Sequence, residues 1–349
     1  MTSPSDHHAV PEGIAVEPVT AWFREHAEGV VPPLTFSLIT GGHSNLTYRV
    51  VDQAGTKWVL RRPPLGHILV GAHDVAREHR LMSALASTQV AVPPIVGLCQ
   101  NPTVNGADFY VMKFVEGHVL RFADEATDAI ADDSMDSLAT NLIDGLAAIH
   151  EVDLEAVGLA DLGKREAYVA RQLRTWLRQF SSMTARDLPV ITEVHDHLTA
   201  TIPEQRTATL VHGDYRLDNC LVTGAGEVAA VLDWEICTLG DPLADLGFLL
   251  VYWIDADDDF TPLGHDATTA PGMASRADLV RMYAERTGAD TSDIDWYFAF
   301  GSWRLACILE GVYSRYIGGA SPEVPAEVEL FKESVVNLAE RSARLLGLR

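Results

Sequence analysis

Apolar and polar positions alternate between Leu34 and Leu60, a pattern of strands cut by turns. LTFSLI is followed by a turn at Gly41-Gly42, then LTYRVVD, a turn at Gln53 to Gly55, and KWVLRR, which Pro63-Pro64 end. A short helix is expected before them, around Val19 to His26. From Asp74 the period becomes helical, with Asp74 as N-cap and Val75, Glu78, Met82 and Leu85 on one face. Pro93-Pro94 restart the chain as extended segments ending in FYVMKFVEG. Beyond Gly117 helical spacing dominates, as in Leu138, Leu142, Leu146 and Ile149, and again from Glu166 to Phe180. The exception lies between Leu210 and Trp234, where CLVT and VAAVLDW flank a GAGE turn and predict a hairpin. Residues 257–273 read as a long polar loop, either a lid or a flexible connection, and helices resume from Ser275. The expected class is α+β. Residues 1–115 form an antiparallel sheet lobe with one main helix, and residues 116–349 a larger, mostly helical lobe.

Length and composition change this picture little: 349 residues, 47% of them hydrophobic, suffice for two cored lobes. Charge narrows the partners. A net charge of -23 with no basic patch recognised in the sequence argues against nucleic acid and anionic membranes. No apolar run approaches the ~20 residues of a membrane span, and the N-terminus lacks a signal-peptide pattern, so a soluble cytoplasmic protein is expected. Cys99, Cys220, Cys237 and Cys307 are too scattered for a zinc site or a disulfide framework and read as buried thiols.

The chemistry concentrates in HGDYRLDN, His212 to Asn219. Asp214 follows His212 by two positions and Asn219 follows Asp214 by five, the offsets of a kinase catalytic loop. Asp233 closes the next apolar strand, where such folds keep a metal-binding Asp. Phosphoryl transfer needs alignment and charge stabilisation. Mg²⁺ prefers hard oxygen ligands, commonly one or two carboxylates with phosphates and water, a set that Asp233 and the Asn219 amide oxygen supply. Asp214 would orient the acceptor hydroxyl and accept its proton late. His212 would orient the loop by bonding backbone or Asp233, and Asp218 would cap a turn.

HGDYRLDN, AVLDWE and LGDPLADLGF, with GGHSNLTYRV, WVLRRPP, AREHRLMSAL, VMKFVEG and WRLACILEGVYSR, resemble the aminoglycoside phosphotransferase family. The resemblance extends to its branch related to the kinase-like domain of some acyl-CoA dehydrogenases, and spans about residues 34 to 317. It implies a two-lobed protein-kinase-like fold with ATP and Mg²⁺ in the cleft. The turn containing Gly42, Ser44 and Asn45 would then cover the phosphates. Arg61 would replace the usual strand lysine, leaving Arg62 a solvated strand-end charge. Glu78, a carboxylate on an apolar stripe, needs a partner, and Arg61 is the expected one. Met112, Phe114 and Val115 would form the hinge whose backbone bonds the adenine. Asp241 would cap a helix and Asp245 buttress the catalytic loop. Trp303, Arg304 and Arg315 are candidate acceptor contacts, set against a core role for Trp303 and pairing with surface carboxylates for the arginines.

The expected activity is an ATP- and Mg-dependent transfer of the γ-phosphoryl group to a small-molecule hydroxyl, on a hydroxyacyl-type metabolite or an amino sugar. The competing readings are a nucleotide-binding pseudokinase with a regulatory or scaffold role and a metal-dependent hydrolase, the latter short of histidines.

Overall fold

The computed structural model describes residues 11–39, 45–65, 74–318 and 328–349. The chain divides into two compact units, Met1–Thr88 with Val92–Glu116, and Gln89–Ala91 with Gly117–Arg349. The first unit carries an antiparallel sheet and the second is mostly helical, the expected α+β arrangement.

In the first unit α1 (Val16–His26) precedes β1 (Thr35–Leu38), β2 (Leu46–Val51) and β3 (Lys57–Arg62). Then come α2 (Val75–Leu85), β4 (Ile95–Cys99), the short α3 (Pro102–Asn105) and β5 (Phe109–Lys113). The sheet order is β1-β2-β3-β5-β4. Successive strand side chains point to opposite faces. Trp58 and Leu60 of β3 therefore share one face with Tyr48, Val50, Phe109 and Val111, and that face packs on Val19, Trp22 and Phe23 of α1. Arg61 falls on the other face, opposite Tyr110 in the register of β3 and β5, the side on which α2 lies over β5. Asp74 starts α2 as expected, its carboxylate accepting the Arg77 N–H at 2.9 Å.

Arg62 departs from expectation, because it is buried rather than solvated. Its guanidinium donates to the carbonyls of Gly13 and Asn105, and its Nε to Pro63. The segment before α1 returns over this end of β3, held also by the Tyr48 hydroxyl on the Glu12 carbonyl at 2.6 Å. Alternation put Arg62 on the inner face, and the returning carbonyls make that burial tolerable.

The second unit comprises α4 (Ala123–Ala129), α5 (Met135–His150), α6 (Tyr168–Met183), α7 (Pro189–Ala200), β6 (Thr209–Val211), β7 (Cys220–Val222), β8 (Val228–Val231) and β9 (Thr238–Gly240). After them run α8 (Pro242–Tyr252), α9 (Arg276–Thr287), α10 (Ile294–Ile317) and α11 (Val328–Leu345). The predicted hairpin is β7–β8. A second ladder, β6 with β9, brackets it and was not foreseen, nor were α3, α4 and α7. All four cysteines are free and buried. Among the described residues no helix is long and apolar enough to cross a membrane.

Residues 257–273 are stitched down within this unit. The Asp266 and Ala267 N–H groups donate to the Arg121 carbonyl at 2.9 and 3.1 Å, the Thr268 hydroxyl accepts the Ile254 N–H at 2.8 Å, and Asp258 pairs with Arg276 and Arg341.

Helices α8 and α10 cross where Gly247 meets Tyr297 and Gly301 meets Gly247. A Cβ on Gly247 would stand 2.5 Å from the Tyr297 carbonyl oxygen. Gly247→Ala is therefore expected to destabilise the protein by about 1–3 kcal/mol, read as a lower urea midpoint with an unchanged slope. An unchanged midpoint would show that the two helices separate at no cost.

Candidate active site

The HGDYRLDN segment leaves β6 at Val211 and runs into a 3-10 turn at Leu217–Asn219 before β7 begins. At its start, the His212 and Gly213 N–H groups donate to the two oxygens of the Asp245 carboxylate, at 2.6 and 2.8 Å. Asp245 thus buttresses the loop from α8. Burial would raise its pKa, but the His150 contact and the Gly213 N–H outweigh burial and hold it below the ordinary carboxylate value. His150 in turn bonds the Tyr283 hydroxyl at 2.7 Å. Asp241 caps α8 through the Leu243 N–H and accepts the Tyr297 hydroxyl.

His212 is fully buried and both its ring nitrogens are spent on backbone. Nδ1 accepts the Asp214 N–H at 3.2 Å and Nε2 donates to the Leu232 carbonyl at 2.9 Å. One nitrogen must accept while the other donates, which defines a neutral tautomer. His212 is an orienting group with backbone partners, not a proton carrier.

The Asn219 amide nitrogen donates to both the carbonyl and the carboxylate of Asp214, at 2.8 and 2.7 Å. This fixes the two side chains as a pair and leaves the amide oxygen as the end able to meet a cation. The Asn219 carbonyl accepts the Leu232 N–H at 2.8 Å, tying the loop to the strand end that carries Asp233. Asp233 sits in the left-handed region, at φ 62 and ψ 59. Outside glycine that conformation costs roughly 1–2 kcal/mol, and Asp is among the residues that tolerate it; such strain gathers at functional positions. A carboxylate and an amide oxygen suit Mg²⁺ as hard donors.

Arg216 was not singled out from the sequence. Its Nε lies 3.3 Å from Asp214 Oδ1, its Nη1 donates to Asp218 Oδ2 at 2.7 Å, and its guanidinium stacks on Tyr252 with the ring centre 4.5 Å away. The signal was present, a cation between two aspartates in DYRLD. Burial pushes the Asp214 carboxyl above its ordinary value, with Arg216 opposing and Asp233 and Asp218 adding to the rise. Burial also acts to raise Asp218, but Arg216 and His265 overcome it and hold that carboxyl low. Asp218 is therefore locked in ion pairs rather than capping a turn.

In the first unit, Glu78 is buried among partners that include Arg61, Tyr110 and Asn45. Arg61 Nε lies 3.0 Å from Oε2, the Tyr110 hydroxyl donates to Oε2 at 3.0 Å, and the Asn45 amide donates to Oε1 at 2.8 Å. The Arg61–Glu78 pair matches the sequence reading. The Asn45 amide bond to Glu78, inside the unit, was not foreseen in the sequence. Tyr110 was missed, although pairing β5 with β3 puts it beside Arg61. Gly42 and Ser44 lie outside the described residues. Met112 is buried in β5, and Val115 is partly exposed just beyond it. The Phe114 N–H is spent on the Lys57 carbonyl at 3.3 Å, so that donor is not available to an adenine.

The acceptor candidates on α10 are redistributed. Trp303 is fully buried and its indole N–H donates to the Ile191 carbonyl at 2.9 Å, which ties α10 to α7. Arg304 is buried too, donating to the Gly213 carbonyl at 2.7 Å. Neither side chain faces solvent, because an α10 packed on α6, α7, α8 and α11 has little free face. Arg315, near the helix end, is exposed.

Comparison with known proteins agrees with this arrangement. A family profile described as a phosphotransferase enzyme family matches residues 35–285. Acyl-CoA dehydrogenase family member 10 of Mus musculus is 33% identical over 355 residues, covering 98% of this chain and 32% of that protein. Acyl-CoA dehydrogenase family member 11 of Gallus gallus is 34% identical over 315 residues, covering 88% of this chain and 40% of that protein. The chain thus spans about a third to two fifths of the length of these relatives. A solved Ralstonia eutropha structure, provisionally described as an aminoglycoside phosphotransferase, superposes at TM-score 0.80 with 32% identity, over 95% of this chain and 98% of that one. A choline kinase structure from Cryptosporidium parvum, at TM-score 0.66 and 12% identity over 95% and 96% of the two chains, shares the fold alone. With a profile match across most of its length and relatives about a third identical, the chain belongs to the phosphotransferase enzyme family.

Proposed function

We propose that this phosphotransferase uses ATP and Mg²⁺ to phosphorylate the hydroxyl of a small molecule, of hydroxyacyl type or an amino sugar. The observation that carries the reading is the Asp214–Asn219 pair, joined at 2.7 Å and tied to the strand end bearing Asp233. Bound to Asp233 and the Asn219 amide oxygen, Mg²⁺ would neutralise charge on the nucleotide phosphates. Asp214 would accept a hydrogen bond from the acceptor hydroxyl, align it with the phosphorus, and take its proton late in the transfer. Burial makes Asp214 a better base than an exposed aspartate. His212 and Asn219 hold it in place. In the N-terminal unit Arg61, kept by Glu78, would meet the α- and β-phosphates, and the hinge backbone around Met112 and Val115 would receive the adenine.

The acyl-CoA dehydrogenase names of the relatives favour a hydroxyacyl acceptor, whereas the description of the Ralstonia structure favours an amino sugar. Screening hydroxylated acyl compounds and aminoglycosides for acceptor-dependent ADP release decides between them.

Mg²⁺ and ATP together should raise the melting temperature, with stabilisation growing toward about 2.7 kcal/mol at a hundredfold excess over Kd. No shift with any nucleotide would end the kinase reading. Asp233→Ala should abolish the Mg²⁺-dependent part of that shift. Asp214→Asn should lower turnover by about 10²–10⁴-fold with nucleotide affinity nearly unchanged, and wild-type turnover would refute its assignment. Arg61→Lys should keep the fold but weaken nucleotide binding, because a point charge replaces a fork already seated on Glu78. Calorimetric titration with Mg-ATP measures the change, and an unaltered Kd would remove Arg61 from the site.

A further inference from the structure

We propose that Arg304 is the counter-charge of Asp245, acting through the Gly213 peptide, and that the two together position Asp214. Arg304 is 2% exposed in the middle of α10, and no carboxylate among the described residues pairs with it. Its Nη2 donates to the Gly213 carbonyl at 2.7 Å, while its Nε has no hydrogen-bond partner. The guanidinium is otherwise enclosed by the faces of Phe248, at 4.7 Å, and Trp176, at 5.5 Å. A buried cation so placed is costly unless a negative charge lies close by. We assign that part to Asp245, the buried carboxylate that receives the N–H groups of His212 and Gly213 on the other side of the same glycine.

The anion therefore grips the N–H side of residue 213 and the cation its C=O side. Gly213 sits at φ +85 between them, and Asp214 follows directly. The anion belongs to α8 and the cation to α10, the helices that meet at Gly247 and Gly301. The helix crossing thus sets the spacing of the two charges and, through the peptide between them, the direction in which Asp214 leaves the loop. Arg304 is a positioning residue, and that catalytic meaning rests on the role given to Asp214 above.

Hydrogen exchange read by mass spectrometry on the full chain without nucleotide tests the clamp independently of any activity. Arg304→Met should speed exchange across residues 209–216 about tenfold or more, while α5 and the β7–β8 hairpin keep their wild-type rates. Trp303→Phe, a core change one residue away, should show no such focus. In urea unfolding, Asp245→Asn with Arg304→Met should be about tenfold more stable, as an unfolding constant, than the two single effects predict. Where the Met variant does not fold, Arg304→Lys serves in its place. It keeps the charge and should retain most of the loop's protection. Uniform acceleration, additive stabilities, or exchange across residues 209–216 in the Lys variant tenfold or more faster than in the wild type would overturn the proposal. Once an acceptor is in hand, Arg304→Lys should lower kcat with KM for nucleotide unchanged. Failure of that result alone, with the loop-focused exchange intact, would indict the role of Asp214 and leave the clamp standing.

Discussion

Two backbone N–H groups on one buried carboxylate organise the second unit. The loop from His212 to Asn219 leaves a short strand and makes few ladder bonds of its own, yet much of it is buried. Its peptide groups must find partners or lose more free energy than burial returns. Asp245 meets that demand for the His212 and Gly213 N–H groups, and the His212 ring meets it for Asp214. Because a carboxylate on a helix is fixed by the helix, the loop inherits the rigidity of α8 rather than the freedom of a connection. The positive φ of Gly213 belongs to the same constraint, since a side chain there would be strained in conformation and close to Ile236.

Much of this was legible in the sequence wherever the physics is local or the cost is plain. The spacing of Asp214, Asn219 and Asp233 is readable because one loop and one hairpin carry all three. The Arg61–Glu78 pair, 17 positions apart, is readable because a carboxylate on an apolar stripe implies a cation nearby. Strand ends and helix starts at Lys57, Arg62, Asp74 and Ser275 follow from prolines and caps.

What was not legible shares a cause. Arg62 and Arg304 both donate to backbone carbonyls, at Gly13 and Gly213, that lie 49 and 91 residues away. A carbonyl belongs to every residue and leaves no mark in the sequence, so a surface charge and a ligand contact were the natural readings. The strand β9 was missed for a related reason: three residues, Thr238–Gly240, are too few to show a period. Tyr110 and Arg216 were within reach, the first through strand register and the second through its flanking aspartates.

Arg216 also explains how two aspartates four residues apart acquire different characters. Its Nη1 bonds Asp218 at 2.7 Å, whereas its Nε approaches Asp214 only to 3.3 Å. Asp218 further gains His265 at 3.3 Å, while Asp214 has the negative field of Asp233 to contend with. The same partly buried cation therefore holds one carboxyl below the ordinary value and fails to prevent the other from rising above it. Environments that drive two like groups apart mark a division of labour between them. Asp218 anchors the cation, and the cation, so anchored, stands beside an Asp214 whose carboxyl burial holds above its ordinary value.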